Sequence, residues 1–313
     1  MKRLLFLALS SLLVFATLSF AKYPNRTIHI IVPSKAGGST DTTARFFIEV
    51  AKKYWPNAEM IVVDKPGAGG QIGFEAIARS RPDGYTVGMI FTPQIVAHIV
   101  AKRARYTLKS FYMVGNIAED PGIVVVNAKS PIKNLKDLAK LAKSKKLSAA
   151  VNGIGSDDFL AAKQFEKVAG VTFKLMPTKG SVEQKAAVLG GHVDVAFMNL
   201  SQMLAQHKAG KARIIAILST KRSDAAPEIP TAIEQGYKVL MTAKRGMVLP
   251  ARVKDSIKKK WSELLKKVVN DPEFKEHCKK SFIFINYMPG NEFRDYLENL
   301  QKSVQKVYDK NPW

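Results

Sequence analysis

The chain has 313 residues and a single cysteine, Cys278. An intramolecular disulfide is therefore excluded, and so is a cysteine-built structural metal site. His277 is the only partner nearby in sequence, inside a Lys-rich helical stretch, so Cys278 reads as a packing residue. The five histidines (His29, His98, His192, His207, His277) are scattered, with no pair at metal-ligand spacing. No metal or other cofactor is expected. Several catalytic signatures are also missing. HExxH, GxSxG and the phosphate-binding P-loop do not occur, and Gly67-Ala68-Gly69 is followed by Gly73, one residue too late for the dinucleotide fingerprint.

Acidic residues are scarce. Against 26 Asp and Glu stand 49 Lys and Arg, for a formal net charge of +23. That balance favours anionic partners: nucleic acid, an acidic membrane surface or an acidic ligand. Nucleic acid is not expected, because no zinc-finger spacing, aromatic RNP-like stretch or basic-zipper heptad accompanies the lysines. Their densest run, Lys254 to Lys280, reads as the solvated face of amphipathic helices.

Long hydrophobic runs are absent except at the N-terminus. There Lys2 and Arg3 precede an apolar stretch from Leu4 to Phe20, and Ser19-Phe20-Ala21 offers small residues three and one positions before a cut. Residues 1–21 have the build of a secretory signal peptide. The alternative is a retained anchor, since a run of ~17 apolar residues could just span a bilayer. Export to the periplasm, or otherwise outside the cytoplasmic membrane, is the expectation.

From Tyr23 onward, with 46% hydrophobic residues overall, short β-branched runs alternate with helical patterns. This is the signature of α/β folds built on parallel strands. Strands are expected at Thr27–Val32, Glu59–Val63, Tyr85–Phe91, Gly122–Val126, Leu147–Val151, Phe173–Met176, Val193–Met198 and Arg213–Leu218. Helices are expected between them, for example Thr42–Lys53, Gln71–Arg79 and Phe159–Ala169. The last third holds an extended stretch, Val239–Leu249, and two long amphipathic helices around the strand Phe282–Tyr287. A chain that leaves one lobe, builds a second and returns gives this order. The crossings are expected near Ala118–Pro121 and Pro230–Tyr237. Residues 22–120 with 238–313 would form lobe 1, and 121–237 lobe 2, with a two-strand hinge and a ligand cleft between them.

Three glycine loops fall where a strand hands over to a helix. The first is Pro33-Ser34-Lys35-Ala36-Gly37-Gly38-Ser39-Thr40-Asp41, in which Ser39 or Thr40 can cap the helix. The second is Lys65-Pro66-Gly67-Ala68-Gly69-Gly70-Gln71-Ile72-Gly73, and the third Asn152-Gly153-Ile154-Gly155-Ser156-Asp157-Asp158. Each is a candidate anion cradle, because a helix start presents free N–H groups and the positive end of a dipole. In open α/β sheets ligands sit beyond the carboxyl ends of strands.

At these loops the sequence resembles the extracytoplasmic receptors of tripartite tricarboxylate transporters, the Bug-type solute-binding family. The ordered markers are Ile31-Val32-Pro33, Gly37-Gly38-Ser39-Thr40-Asp41, the second glycine loop, Pro82-Asp83-Gly84-Tyr85-Thr86, Gly155-Ser156, Pro177-Thr178-Lys179-Gly180-Ser181, Gly190-Gly191-His192-Val193-Asp194 and Pro227-Glu228-Ile229-Pro230-Thr231. The resemblance implies a two-lobed, periplasmic-binding-protein-like α/β receptor (a Venus flytrap). It would close on a small di- or tricarboxylate and pass it to membrane permease subunits, and it is expected to be a monomer. By position, lobe 1 would offer Ala36, Gly37, Ser39, Asp41, Gly70 and Thr92, with Gly38 in the same loop. Lobe 2 would offer Asn152, Gly155, Ser156, Lys179, Gly180 and Asn199.

The chain departs from the family pattern at Lys35, at Phe159 and at Lys244-Arg245-Gly246. Lys35 and Lys244 read as solvent-exposed. Arg245 is the cation expected beside a carboxylate, because its fork matches two oxygens, with a structural ion pair as the alternative. Two other readings stay open at this level: an exported polyanion-binding or adhesion protein, and an enzyme on the same two-lobed fold. No enzyme is expected, since nothing in the loops qualifies as a nucleophile.

Overall fold

Strand β1 (Ile28–Val32) is covered on both faces except at exposed His29: Ile28, Ile30 and Val32 meet one apolar cluster and Ile31 another. Burial on both faces is what a central strand of a parallel sheet requires, and the surrounding elements supply the cover. The computed structural model describes residues 23–310 and 312–313, and the expected signal peptide at 1–21 lies outside them. After β1 come α1 (Ser39–Tyr54), β2 (Met60–Asp64), α2 (Gln71–Ala78), β3 (Thr86–Phe91), α3 (Gln94–Val100) and the long strand β4 (Phe111–Asn127). The chain continues through α4 (Leu135–Ser144), β5 (Ser148–Val151), α5 (Asp157–Ala169), β6 (Lys174–Pro177), α6 (Ser181–Leu189), β7 (Val195–Asn199), α7 (Leu200–Lys208) and β8 (Ala212–Ile217). It ends with β9 (Thr242–Pro250), α8 (Asp255–Asn270), α9 (Pro272–Lys280), β10 (Ile285–Pro289) and α10 (Gly290–Lys310).

Two strands belong to both halves of the molecule or border them. In the first lobe the strand order is β2-β1-β3-β9-β4-β10, with β1 parallel to β2 and β3 and the remaining pairs antiparallel. Beyond Pro121, β4 enters a second sheet, β8-β4-β7-β5-β6, in which β5 is parallel to both β6 and β7. β9 runs antiparallel to β4 from Phe111 opposite Pro250 to Pro121 opposite Thr242. These strands are the connection between two α/β lobes.

β4 pairs with β9 up to Pro121 and with β7 from Gly122. The return does not lie at Pro230–Tyr237. Gln235 accepts from the Leu135 N–H at 2.9 Å and donates to the Ile215 carbonyl at 2.8 Å, and Tyr237 packs on Phe165. Those residues are bound to the second lobe, and the chain recrosses at Met241–Lys244. Two elements went unread in the sequence. The first half of β4 is broken up by Gly115, Asn116 and Pro121, with register shifts at Met113/Gly115 and Asn116/Ala118, and α3 spans only two turns.

The first lobe's outer core gathers Phe47, Trp261, Phe274 and Cys278. Cys278 is 1% exposed, and burial pushes its thiol up to about 12, as fits a packing residue. A second cluster runs from Phe74 and Phe293 in the first lobe to Phe165 and Phe197 in the second.

Candidate functional site

Whether a helix start can hold an anion depends on whether its own residues already use the free N–H groups. In α5 they do: Ser156 is the N-cap, and its Oγ accepts from the Phe159 N–H at 3.0 Å. In α7 they also do, through reciprocal Asn199 and Gln202 contacts and the Ser201 N–H given to Asp120 at 3.0 Å. The starts of α1 and α6 differ. Their N-caps are Gly38 and Gly180, and neither has a side chain to offer. Gly180, at φ 149 and ψ 169, holds a conformation open essentially to glycine alone. Gly37, at φ 77, makes the left-handed turn that leads into α1.

These two uncapped starts face one another. A Cβ built on Gly38 would stand 3.8 Å from Ser181 Oγ across the interlobe gap. A cavity of about 570 Å³ opens at this point. Its walls include Ser34, Lys35, Gly38, Ser39, Thr40, Pro66–Gly70, Phe91, Thr92 and Gln94 from the first lobe. The second lobe supplies Asn152, Asp157, Pro177–Val182, Asn199 and Gln202, and β9 adds Ala243 and Arg245. The volume is within the usual range for a small-molecule site.

Side chains tie the lobes together around the cavity. Lys35 pairs with Glu183, Ser39 Oγ lies 3.3 Å from Ser201 Oγ, and Gln94 Nε2 donates to Asp157 Oδ1 at 3.3 Å. Deeper in, Arg245 Nη1 donates to Asp120 Oδ2 at 2.9 Å and its Nη2 points to Asn199 Oδ1 at 3.4 Å. Asn199 Nδ2 in turn donates to Asp157 Oδ2 at 2.7 Å. Burial raises the Asp157 carboxyl above the usual carboxylate range, opposed by the Asn199 hydrogen bond and the Arg245 charge. Burial, then the neighbouring Asp157 charge, raises Asp158 further.

Of the residues singled out in the sequence, Gly38, Ser39, Gly70, Thr92, Asn152, Lys179, Gly180, Asn199 and Arg245 line one cavity. Five do not. Ala36 is exposed, and Gly37 lies on a smaller neighbouring cavity. Asp41 is buried, accepting the Gly37 N–H at 2.8 Å and pairing with Arg45 at 2.8 Å. Gly155 faces Ala97 and the Trp313 ring, and Ser156 is fully buried as a cap. The loop at 152–156 therefore reaches the cavity through its flanks, Asn152 and Asp157.

Three further expectations change. Ser39 does not cap α1 but is its first helical residue. Lys244 is 3% exposed, paired with Glu119 at 2.6 Å and set over the Tyr296 ring. Arg245 has the structural ion pair that stood as the alternative to ligand contact, although it also borders the cavity. Sequence reasoning passed over Gln94, Thr178 and Ser181 as site residues. The signal for the last two was present: glycine at a helix N-cap leaves free donors, whereas serine at position 156 consumes one.

Two α/β lobes joined by paired strands, with a cavity lined by helix starts from both, define a two-lobed solute-binding protein. The model of the tripartite tricarboxylate transporter family receptor matches residues 48–308, and the chain belongs to that family. BugT of Bordetella pertussis is 31% identical over 237 residues, covering 72% of this chain and 70% of BugT. The structure of the periplasmic binding protein BugD superposes with a TM-score of 0.84 at 26% identity, covering 92% of this chain and 98% of BugD. MatC from Rhodopseudomonas palustris, solved with bound malate, shares the fold at a TM-score of 0.84 and 21% identity, covering 91% of this chain and 99% of MatC. Among the described residues no helix is long and apolar enough to cross a membrane.

Proposed function

We propose that this receptor is exported to the periplasm, captures a small di- or tricarboxylate in the interlobe cavity, and delivers it to the permease subunits of a tripartite tricarboxylate-type transporter. The observation that carries the reading is the pair of uncapped helix starts, α1 and α6, facing each other from opposite lobes. Free main-chain donors at the positive ends of two helices suit one carboxylate held between them. Lys179, Asn152, Thr92, Gly70, Asn199 and Arg245 complete the polar wall. MatC, which shares the fold, carries a dicarboxylate.

The mechanism is binding without bond-making. A carboxylate seated on α1 gains contacts with α6 only when the lobes meet, and that difference in contact energy favours closure. Cys278, the most nucleophilic residue type available, is buried in the first lobe's outer core, with its thiol held protonated. Isothermal titration with malate, succinate and citrate is expected to show saturable one-site binding of at least one of them. Absence of binding by every di- and tricarboxylate tried would refute the ligand class.

A further inference from the structure

A second cavity, of about 200 Å³, lies against the first and shares Ser39, Ser181, Val182 and Gln202 with its wall. The rest of its lining is Gly37, Thr42, Lys185, Ser201, Ser281 and Ile283. Both lobes contribute. Gly37, Ser39, Thr42, Ser281 and Ile283 come from the first, and the α6 and α7 residues from the second.

The chemistry of this wall is one-sided. It holds five hydroxyls, one ammonium and no carboxylate. Ser201 is partly committed, since its Oγ donates to Asp120 and meets Ser39 Oγ at 3.3 Å. Lys185 is the uncompensated member. The two lysines that border the interlobe region in similar surroundings sit beside a carboxylate, Lys35 beside Glu183 and Lys244 beside Glu119. Lys185 has no such partner among the described residues. Burial alone acts on its ammonium and holds it below the usual lysine range. A half-buried cation without a counter-ion costs free energy unless something anionic joins it.

We propose that this cavity is a second anion site, adjoining the carboxylate cleft and centred on Lys185, and that it takes a tetrahedral oxyanion, sulfate or inorganic phosphate. Lys185 supplies the opposite charge, and the hydroxyls of Ser39, Thr42, Ser181 and Ser281 supply short hydrogen bonds to the oxygens. The volume suits a compact ion with its residual water better than an extended carboxylate. Because the wall is shared between lobes, the bound ion bridges them and favours the arrangement in which they meet.

The test is calorimetric titration of the carboxylate-free protein with sodium sulfate and, separately, sodium phosphate at constant ionic strength, with sodium chloride as a third arm. Wild type is expected to bind sulfate or phosphate at one saturable site. Lys185→Met is expected to lose about tenfold or more of that affinity, the usual loss when one charged hydrogen-bond partner is removed. The variant should melt no lower than wild type in sulfate-free buffer, since it sheds an uncompensated charge. Equal oxyanion affinity in the two proteins, no saturable binding, or binding of chloride alone would overturn the proposal. None of these arms requires a carboxylate, so failure of the cleft assignment and failure of this one are read separately.

Discussion

Asp157 and Asp158 stand side by side at the start of α5, and burial determines what each contributes. Asp157 reaches the cavity and is held by Asn199 and Gln94. Asp158 accepts a long hydrogen bond, 3.3 Å, from the Asn152 N–H, and the Gln184 side chain also acts on its carboxyl. Its carboxyl is raised well above the usual range by burial and by its neighbour. A carboxyl whose pKa is higher folded than unfolded keeps its proton longer in the native state. Its contribution is most favourable below the unfolded carboxylate pKa, and stability is lost as the pH rises towards the folded pKa. Asp158→Asn keeps an oxygen for the Asn152 N–H and removes the titration. In urea denaturation the variant should gain on wild type as the pH rises from about 4, the unfolded carboxylate value, towards neutrality. A constant difference across that range would show that Asp158 does not titrate as described.

At the scale of elements, the hinge strands β4 and β9 carry a buried ion pair. Arg245 is 4% exposed and Asp120 1%. Removing one member leaves the other charge uncompensated, which typically costs about 3 kcal/mol or more. Arg245→Gln should therefore lower the unfolding free energy by roughly that amount with no ligand present. The double variant with Asp120→Asn should recover most of it. An Arg245→Gln protein of unchanged stability that had lost only carboxylate affinity would show that Arg245 serves the ligand rather than the hinge ion pair.

The helix starts show how far the sequence could be read. Glycine loops at strand-to-helix junctions were legible, because Gly37, Gly38 and Gly70 stand between clear two-residue and 3.6-residue periodicities. Which loop faces which was not, since that is set by β4 leaving one sheet for another at Pro121. The second lobe's candidates ran from Asn152 to Gly180 and Asn199, and the fold sets Gly38 opposite Ser181, next to Gly180. The burial of Lys244 was equally hidden, because Glu119 lies 125 residues away and only the strand pairing brings the two together. The short helix α3, with Gln94 at its start, carries too few residues to show a period.

For the whole molecule the dominant quantity is charge. At +23, the field attracts an anion from beyond contact range, and salt shortens that reach to about 10 Å at 0.1 M. The association rate of a dicarboxylate should fall several-fold between about 20 mM and 500 mM salt while the dissociation rate changes less. Stopped-flow binding at varied ionic strength checks this, and a salt-independent association rate would remove steering from the account.

The most direct test concerns the donors themselves. In an amide-resolved NMR titration with the carboxylate that binds most tightly, the N–H signals of Ser39 and Thr40 in one lobe and of Ser181 and Val182 in the other should shift together and saturate at the same concentration. Shifts confined to a single lobe, or centred on the capped start of α5 instead, would contradict the claim that two bare helix ends grip one anion between them.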